Sequence, residues 1–129
     1  MAKVIKLKDT QMTKEYEPGL EHTFCLTDRT CGAQNMCMFK AVIPPMTKTR
    51  AHYHPDIEIN LYVLSGNAVI LTGKPSSERQ RLEVGPNMFL HIPKNEIHVF
   101  SNESETEPFV MISAYSSPVG ADMPKIEVH

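Results

Sequence analysis

Short stretches of alternating polarity, cut by Pro, Gly, Asn or Ser roughly every 8 to 15 residues, run through the whole chain. Successive side chains on a strand point to opposite faces, so a period of two buries one face and wets the other. Val, Ile, Phe, Tyr and Thr fill the stretches, as a pleated, half-buried surface favours. The pattern predicts strands over residues 4–8, 22–27, 35–43, 50–54, 58–64, 68–72, 81–84, 88–92, 98–101 and 109–114. Turn chemistry separates them. Pro44-Pro45 stops one strand, Ser65-Gly66-Asn67 reads as a tight hairpin, residues 73–77 form a longer polar loop, and Gly85-Pro86-Asn87 is another turn. No stretch carries a sustained apolar stripe at helical spacing, and residues 78–83 offer only local charge pairs between turn formers. Many short strands in one domain imply an all-β sandwich or barrel, and closure would remove exposed edges. Residues 116–129, with two prolines and a glycine, read as an extended tail packed along the barrel or across a partner.

The chain of 129 residues is expected to be a single domain over 1–129, with no repeat or linker to divide it. A chain of this size buries roughly two-thirds of its unfolded surface, so a core needs no disulfide or metal staple. Lys and Arg number 13 against 15 Asp and Glu, a net charge of −2. That balance gives no pull toward nucleic acid or an anionic membrane. No apolar run approaches the ~20 residues of a membrane span. The N-terminal lysines are not followed by an apolar segment, so no secretory signal is expected. Cys25, Cys31 and Cys37 are odd in number and lack C-x-x-C spacing, which points to free thiols in a reducing, cytoplasmic compartment.

Six histidines in so short a chain need a joint explanation. His52 and His54 are two apart and share a strand face. Glu58 follows across a Pro55-Asp56 turn, where a new apolar strand begins, and His98 opens a later one. Imidazole and carboxylate together suit divalent Zn, Fe, Mn, Ni, Co or Cu. Two imidazoles and the carboxylate can converge inside a small barrel, with His98 arriving from the opposite sheet.

These residues resemble the two motifs of the cupin superfamily. The first motif has Gly, five residues, His-x-His, three or four residues, Glu, six residues, Gly. Residues 46–66 read Met46, then His52-Tyr53-His54-Pro55-Asp56-Ile57-Glu58, then Gly66. The second has Gly, five to seven residues, Pro-x-Gly, two residues, His, three residues, Asn. Residues 85–102 read Gly85, Pro93-Lys94-Asn95, His98, Asn102. Three departures stand out. The leading glycine falls on Met46, so the bend is expected to be made by Pro44 and Pro45. Seven residues separate Glu58 from Gly66: either Glu58 precedes a one-residue bulge, or the family's Glu position falls on Ile59 and Glu58 faces away. The glycine of the second motif's Pro-x-Gly falls on Asn95, which accepts the left-handed conformation.

The resemblance implies a cupin-type jelly-roll β-barrel, a His3Glu centre of His52, His54, Glu58 and His98 with one divalent transition metal per chain, and a homodimer. It also implies a small-molecule substrate, an oxygenated organic compound chelated at the metal. An oxidoreductase of dioxygenase type is the first expectation. A non-redox isomerase, lyase or cyclase, or a non-catalytic metal or ligand binder, are the alternatives.

Strand parity supplies further candidates. Arg50 shares parity with His52 and His54 and offers a planar fork for a carboxylate, or stays solvated at the barrel mouth. Asn60 and Tyr62 share parity with Glu58 and would line the cavity unless the bulge flips them, with Tyr62 moving a proton. Phe100 shares parity with His98 as a cavity wall. His91 is a candidate proton shuttle, since imidazole titrates near neutrality. Met36-Cys37-Met38-Phe39 reads as packing rather than soft-metal ligation, and Lys40, on the methionine parity, could hold a negative charge in the cavity. His22 and His129 have no assigned role.

Overall fold

In the computed structural model, which describes residues 1–73 and 79–129, the alternating stretches become two antiparallel sheets. Strands are numbered in chain order. The first sheet runs β1 (Met12–Thr13), β2 (Glu21–Leu26), β3 (Cys37–Ile43), β11 (Phe109–Tyr115), β6 (Ile59–Ser65) and β9 (Phe89–Ile92). The second runs β12 (Ile126–Glu127), β5 (His52–Tyr53), β10 (His98–Asn102), β7 (Ala68–Thr72) and β8 (Gln80–Val84), with β4 (Thr47–Lys48) also paired to β10. This is the jelly-roll architecture expected of the chain.

The inward faces of the two sheets share one core. On the first sheet, Cys37, Phe39, Ala41 and Ile43 of β3 face in, with Ile59, Leu61 and Val63 of β6 and Phe109, Met111 and Tyr115 of β11. On the second, Ile70, Val84 and Phe100 close against them. Burying each large aliphatic or aromatic side chain is worth about 1.5–3 kcal/mol, so these faces fix the registers.

Local chemistry explains the departures from expectation. The strand expected over residues 4–8 is absent: Leu7–Asp9 forms a 3-10 turn, and Val4 and Leu7 are exposed, with no sheet face to cover. A one-turn helix α1 (Asp28–Cys31) appears where none was expected. It is too short to show a stripe and is set by its ends, a reciprocal Thr27–Thr30 capping box and Gly32 at φ 75°. The loop expected over residues 73–77 lies, beyond Gly73, outside the described residues.

Three turns carry the motif positions. Met46 takes φ 56°, so the bend uses a left-handed residue where glycine was missing, rather than the two prolines alone. Asn95 takes φ 65°, as expected. At Gly66 a Cβ would lie 2.2 Å from the Pro108 carbonyl oxygen, so no other residue fits without backbone movement. Buried Asn102 donates to the Ile43 and Glu107 carbonyls and accepts from the Ser104 amide, tying the turn before β11 to the end of β3. Among the described residues, no helix is long and apolar enough to cross a membrane.

Candidate metal centre

β5 ends in an extended segment that carries His52 and His54 on one face, as a period of two requires. His98 opens β10 and pairs directly with His52 across the ladder. The third imidazole therefore comes from the neighbouring strand of the same sheet, not from the opposite sheet. The His52–His98, His52–His54 and His54–His98 ring centroids are 4.5, 5.1 and 5.8 Å apart. One nitrogen from each ring lies within 4.8 Å of the other two, and all three residues are buried.

Backbone carbonyls set the tautomers. A carbonyl only accepts, so each hydrogen-bonded ring nitrogen is the protonated one. His52 Nδ1 donates to the Arg50 carbonyl at 2.7 Å, His98 Nδ1 to Glu96 at 3.0 Å and His54 Nδ1 to Pro124 at 3.1 Å. All three Nε2 atoms are left with a free lone pair, the form that ligates a metal. Burial lowers the pKa of each ring. His54 falls to about 4 and His98 to about 3, by burial and then by the His52 ring beside them. His52 is lowered too, although the Arg50 carbonyl and Glu17 oppose the shift. At neutral pH the centre is three neutral donors, with no proton to displace.

The three rings face a tight cavity of about 20 Å³, on the scale of one or two waters. Its walls are mainly apolar and aromatic: Tyr16, Leu20, Phe100, Met111 and Tyr115, with Glu17, His22 and Thr49 as the other polar members. Tyr16 stacks parallel to His54 at 6.3 Å, and its hydroxyl is 3.4 Å from His54 Nδ1. Glu17 is buried and fully engaged. One oxygen accepts from the Arg50 amide at 3.3 Å, the other from Lys125 Nζ, which also donates to the Tyr16 carbonyl at 2.6 Å. Burial pushes the Glu17 carboxyl up, but Lys125 and the Arg50 amide outweigh it and hold the group below its ordinary value.

Comparison with known proteins places this geometry. The Cupin domain family matches residues 39–115, more than half of the chain. This chain belongs to the cupin family. Solved structures with the same fold include the polyketide cyclase RemF from Streptomyces resistomycificus, at 22% identity and TM-score 0.76, covering 100% of this chain and 87% of that one. An oxalate decarboxylase from Lactobacillus farciminis, in a formate complex, matches at 17% identity and TM-score 0.77, and one from Bacillus subtilis at 14% and 0.79. They cover 94% and 99% of this chain, which spans 34% and 33% of theirs. No curated protein sequence gives a significant match.

Several residues singled out in the cupin sequence lie elsewhere. Glu58 points outward at 47% side-chain exposure, 3.7 Å from His91 Nδ1 on the outer surface of the first sheet. Its neighbours explain why. Ile57, Ile59, Leu61 and Val63 all face the core, and burying four aliphatics outweighs turning one carboxylate in. The shifted register is the one adopted, so Ile59 occupies the inward place and, among the described residues, no carboxylate joins the three imidazoles. Asn60, Tyr62 and His91 follow Glu58 outward. His91 Nδ1 donates to Asn60 Oδ1 at 2.7 Å, and the Tyr62 hydroxyl donates to Asn87 at 2.6 Å. Lys40 also faces away, because Phe39 and Ala41 take the inward positions of β3. Arg50 does not line the cavity; it is half-exposed and paired with Glu127 at 2.8 Å and with Glu17 at 3.6 Å. Phe100 does line the cavity.

Tyr16, Glu17, Leu20, His22, Pro124 and Lys125 complete the site and were not anticipated. Tyr16 to His22 and the tail are remote in sequence from His52 and His98. The one signal in the sequence was His22, a histidine left without a role.

Proposed function

We propose that this cupin binds one divalent transition metal through His52, His54 and His98, and acts on a small oxygenated organic molecule without redox change, as an isomerase, lyase or cyclase. The observation that carries the reading is the convergence of three buried imidazoles, one nitrogen of each within 4.8 Å of the others, with a backbone carbonyl behind each ring. The donor set fits such an ion: neutral imidazoles suit Zn, Cu, Fe and Ni, and three of them leave coordination positions open. A bound ion would supply Lewis acidity toward a carbonyl or hydroxyl oxygen. The chain's own contribution is a tight cavity of about 20 Å³ that admits only the oxygen-bearing end of a ligand at the three rings, with the Tyr16 hydroxyl 3.4 Å from His54 Nδ1 as a group for proton movement. Among the described residues no carboxylate joins the three imidazoles, so the two-histidine, one-carboxylate set associated with oxygen-activating iron is not formed there. That weighs against the dioxygenase reading, which remains the second proposal.

Elemental analysis of protein purified without added metal tests the centre. About one metal per chain is expected, lost in His54→Ala and retained in Glu58→Ala and His91→Ala. Full occupancy in His54→Ala would remove the reading. Turnover under anaerobic conditions supports the non-redox chemistry. Oxygen uptake by the iron-loaded protein supports the dioxygenase, and tight metabolite binding without product supports a non-catalytic binder.

A homodimer is also proposed. Met36, Met38, Leu64, Met88 and Phe89 are exposed, and Met38, Tyr62, Phe89 and Ile112 line a groove of about 450 Å³ on the outer face of the first sheet. An apolar face of this kind fits a second copy better than water. A monomeric mass in solution, unchanged in Phe89→Asp, would refute it. The three free cysteines support a reducing, cytoplasmic compartment.

A further inference from the structure

Among the described residues, two buried side-chain atoms have no hydrogen-bond partner: His22 Nδ1 and Ser113 Oγ. Only His22 lines the cavity of the three histidines. It projects from β2 of the first sheet and is 5% exposed. Aromatic rings hold it in place: Tyr16 edge-on at 5.0 Å, Phe24 stacked at 5.8 Å and Phe39 at 5.5 Å. Leaving a buried polar atom unpaired costs about 1–3 kcal/mol, and phenylalanine would fill the same aromatic nest without that cost. The contrast with His52, His54 and His98 is direct, since each of those gives Nδ1 to a carbonyl. Burial lowers the His22 pKa to about 4, helped by Lys125 and opposed by Glu17. The ring is therefore neutral near pH 7, with one donor and one acceptor nitrogen.

The inward place that a carboxylate would take is apolar, since Ile59 fills it. Glu17 is held by Lys125 and the Arg50 amide, and the Thr49 hydroxyl accepts from the Phe100 amide. We propose that His22 is a ligand-contacting residue: its imidazole hydrogen-bonds the oxygen-bearing molecule held at the His52–His54–His98 centre, on the side facing the first sheet. A neutral imidazole recognises a carbonyl, hydroxyl or enol oxygen without requiring full negative charge. Leu20, Phe100 and Met111 close the cavity around it to about 20 Å³, so the ligand class is a small oxygen-bearing molecule or the oxygen-bearing end of a larger one. This inference rests on the metal reading above.

The test uses Co(II)-loaded protein and azide as a small ligand of the open metal positions, followed by visible absorption. Wild type is expected to bind one Co(II) and to titrate with azide. His22→Phe should keep the Co(II) stoichiometry and the azide-free spectrum but bind azide at least tenfold more weakly, while His22→Asn stays within about threefold of wild type. Azide affinity in His22→Phe within twofold of wild type overturns the inference and leaves the metal reading intact. An altered azide-free spectrum or lost Co(II) in His22→Phe would make His22 a metal ligand and also overturn it. Failure of wild type to bind Co(II) removes both. If His22→Phe does not fold, imidazole 15N resonances of Zn-loaded wild type decide: those of His22 must shift on adding azide, and unmoved resonances overturn the contact.

Discussion

Among the ion pairs of the described residues, Lys125 and Glu17 form the least exposed, at 14% and 6% side-chain exposure. Replacing Lys125 with Met keeps the apolar stem and removes the charge. Glu17 would then keep only the Arg50 amide and the more distant Arg50 guanidinium, in a place where burial already pushes its carboxyl up. Removing one partner of a buried pair costs about 3–5 kcal/mol, because the other charge stays desolvated. The contact of Lys125 with the Tyr16 ring at 4.9 Å adds to the loss. We expect Lys125→Met to lower unfolding stability at pH 7 by about 3 kcal/mol, measured by urea denaturation with circular dichroism, since the chain has no tryptophan. Glu17→Gln/Lys125→Met should recover at least half of that. The pH dependence gives the sign. In wild type the Glu17 pKa is depressed, so its contribution is present above the unfolded value and lost as pH falls through the folded one. In Lys125→Met the pKa rises instead, so the deficit must shrink on acidification as Glu17 takes a proton. A loss under 1 kcal/mol at pH 7, the level of a surface pair, or a deficit that does not shrink would refute the reasoning.

Other outcomes follow from the same geometry. Metal-free protein should lose stability steeply between pH 6.5 and 4. His22 and His54 are neutral there when folded but bind protons when unfolded, so each withdraws on the order of 3 kcal/mol across the window; a flat urea midpoint from pH 7.5 to 4 would contradict this. Met46→Gly should stabilise by about 0.5–1 kcal/mol, because Met46 holds φ 56° without strain relief. Gly66→Ala should destabilise by at least about 2 kcal/mol, because its Cβ meets the Pro108 carbonyl. Thermal melts of the two variants check both signs.

The strands were legible because their faces are apolar at a strict period of two. β7 falls on the expected residues 68–72, and most other strands lie within two residues of expectation. The short pairs β1, β4 and β12 were not legible, since two residues carry no pattern. His52, His54 and His98 come together because their local spacing suffices: two share one strand face, and the third faces His52 across one ladder. Starting from the carboxylate left the register of β6 open between Glu58 before a bulge and Ile59 at the inward place. Counting the aliphatics at 57, 59, 61 and 63 would have turned Glu58, Asn60 and Tyr62 outward together.

The same division between local and distant contacts explains how the centre is held. His52 and His98 each donate to the carbonyl two residues before them, so their orientation is written into the strand itself. His54 donates to Pro124, seventy residues away, and shares its face with Tyr16. The tail reaches it by pairing β12 to β5 and by passing Lys125 to Glu17. One imidazole of the three is therefore oriented by a segment that composition alone marks only as extended. A centre built this way needs the N-terminal segment and the tail closed together around it before His54 is fixed. The buried Glu17–Lys125 pair binds those two segments to each other at that point, so the contact that stabilises the fold also orients the third donor.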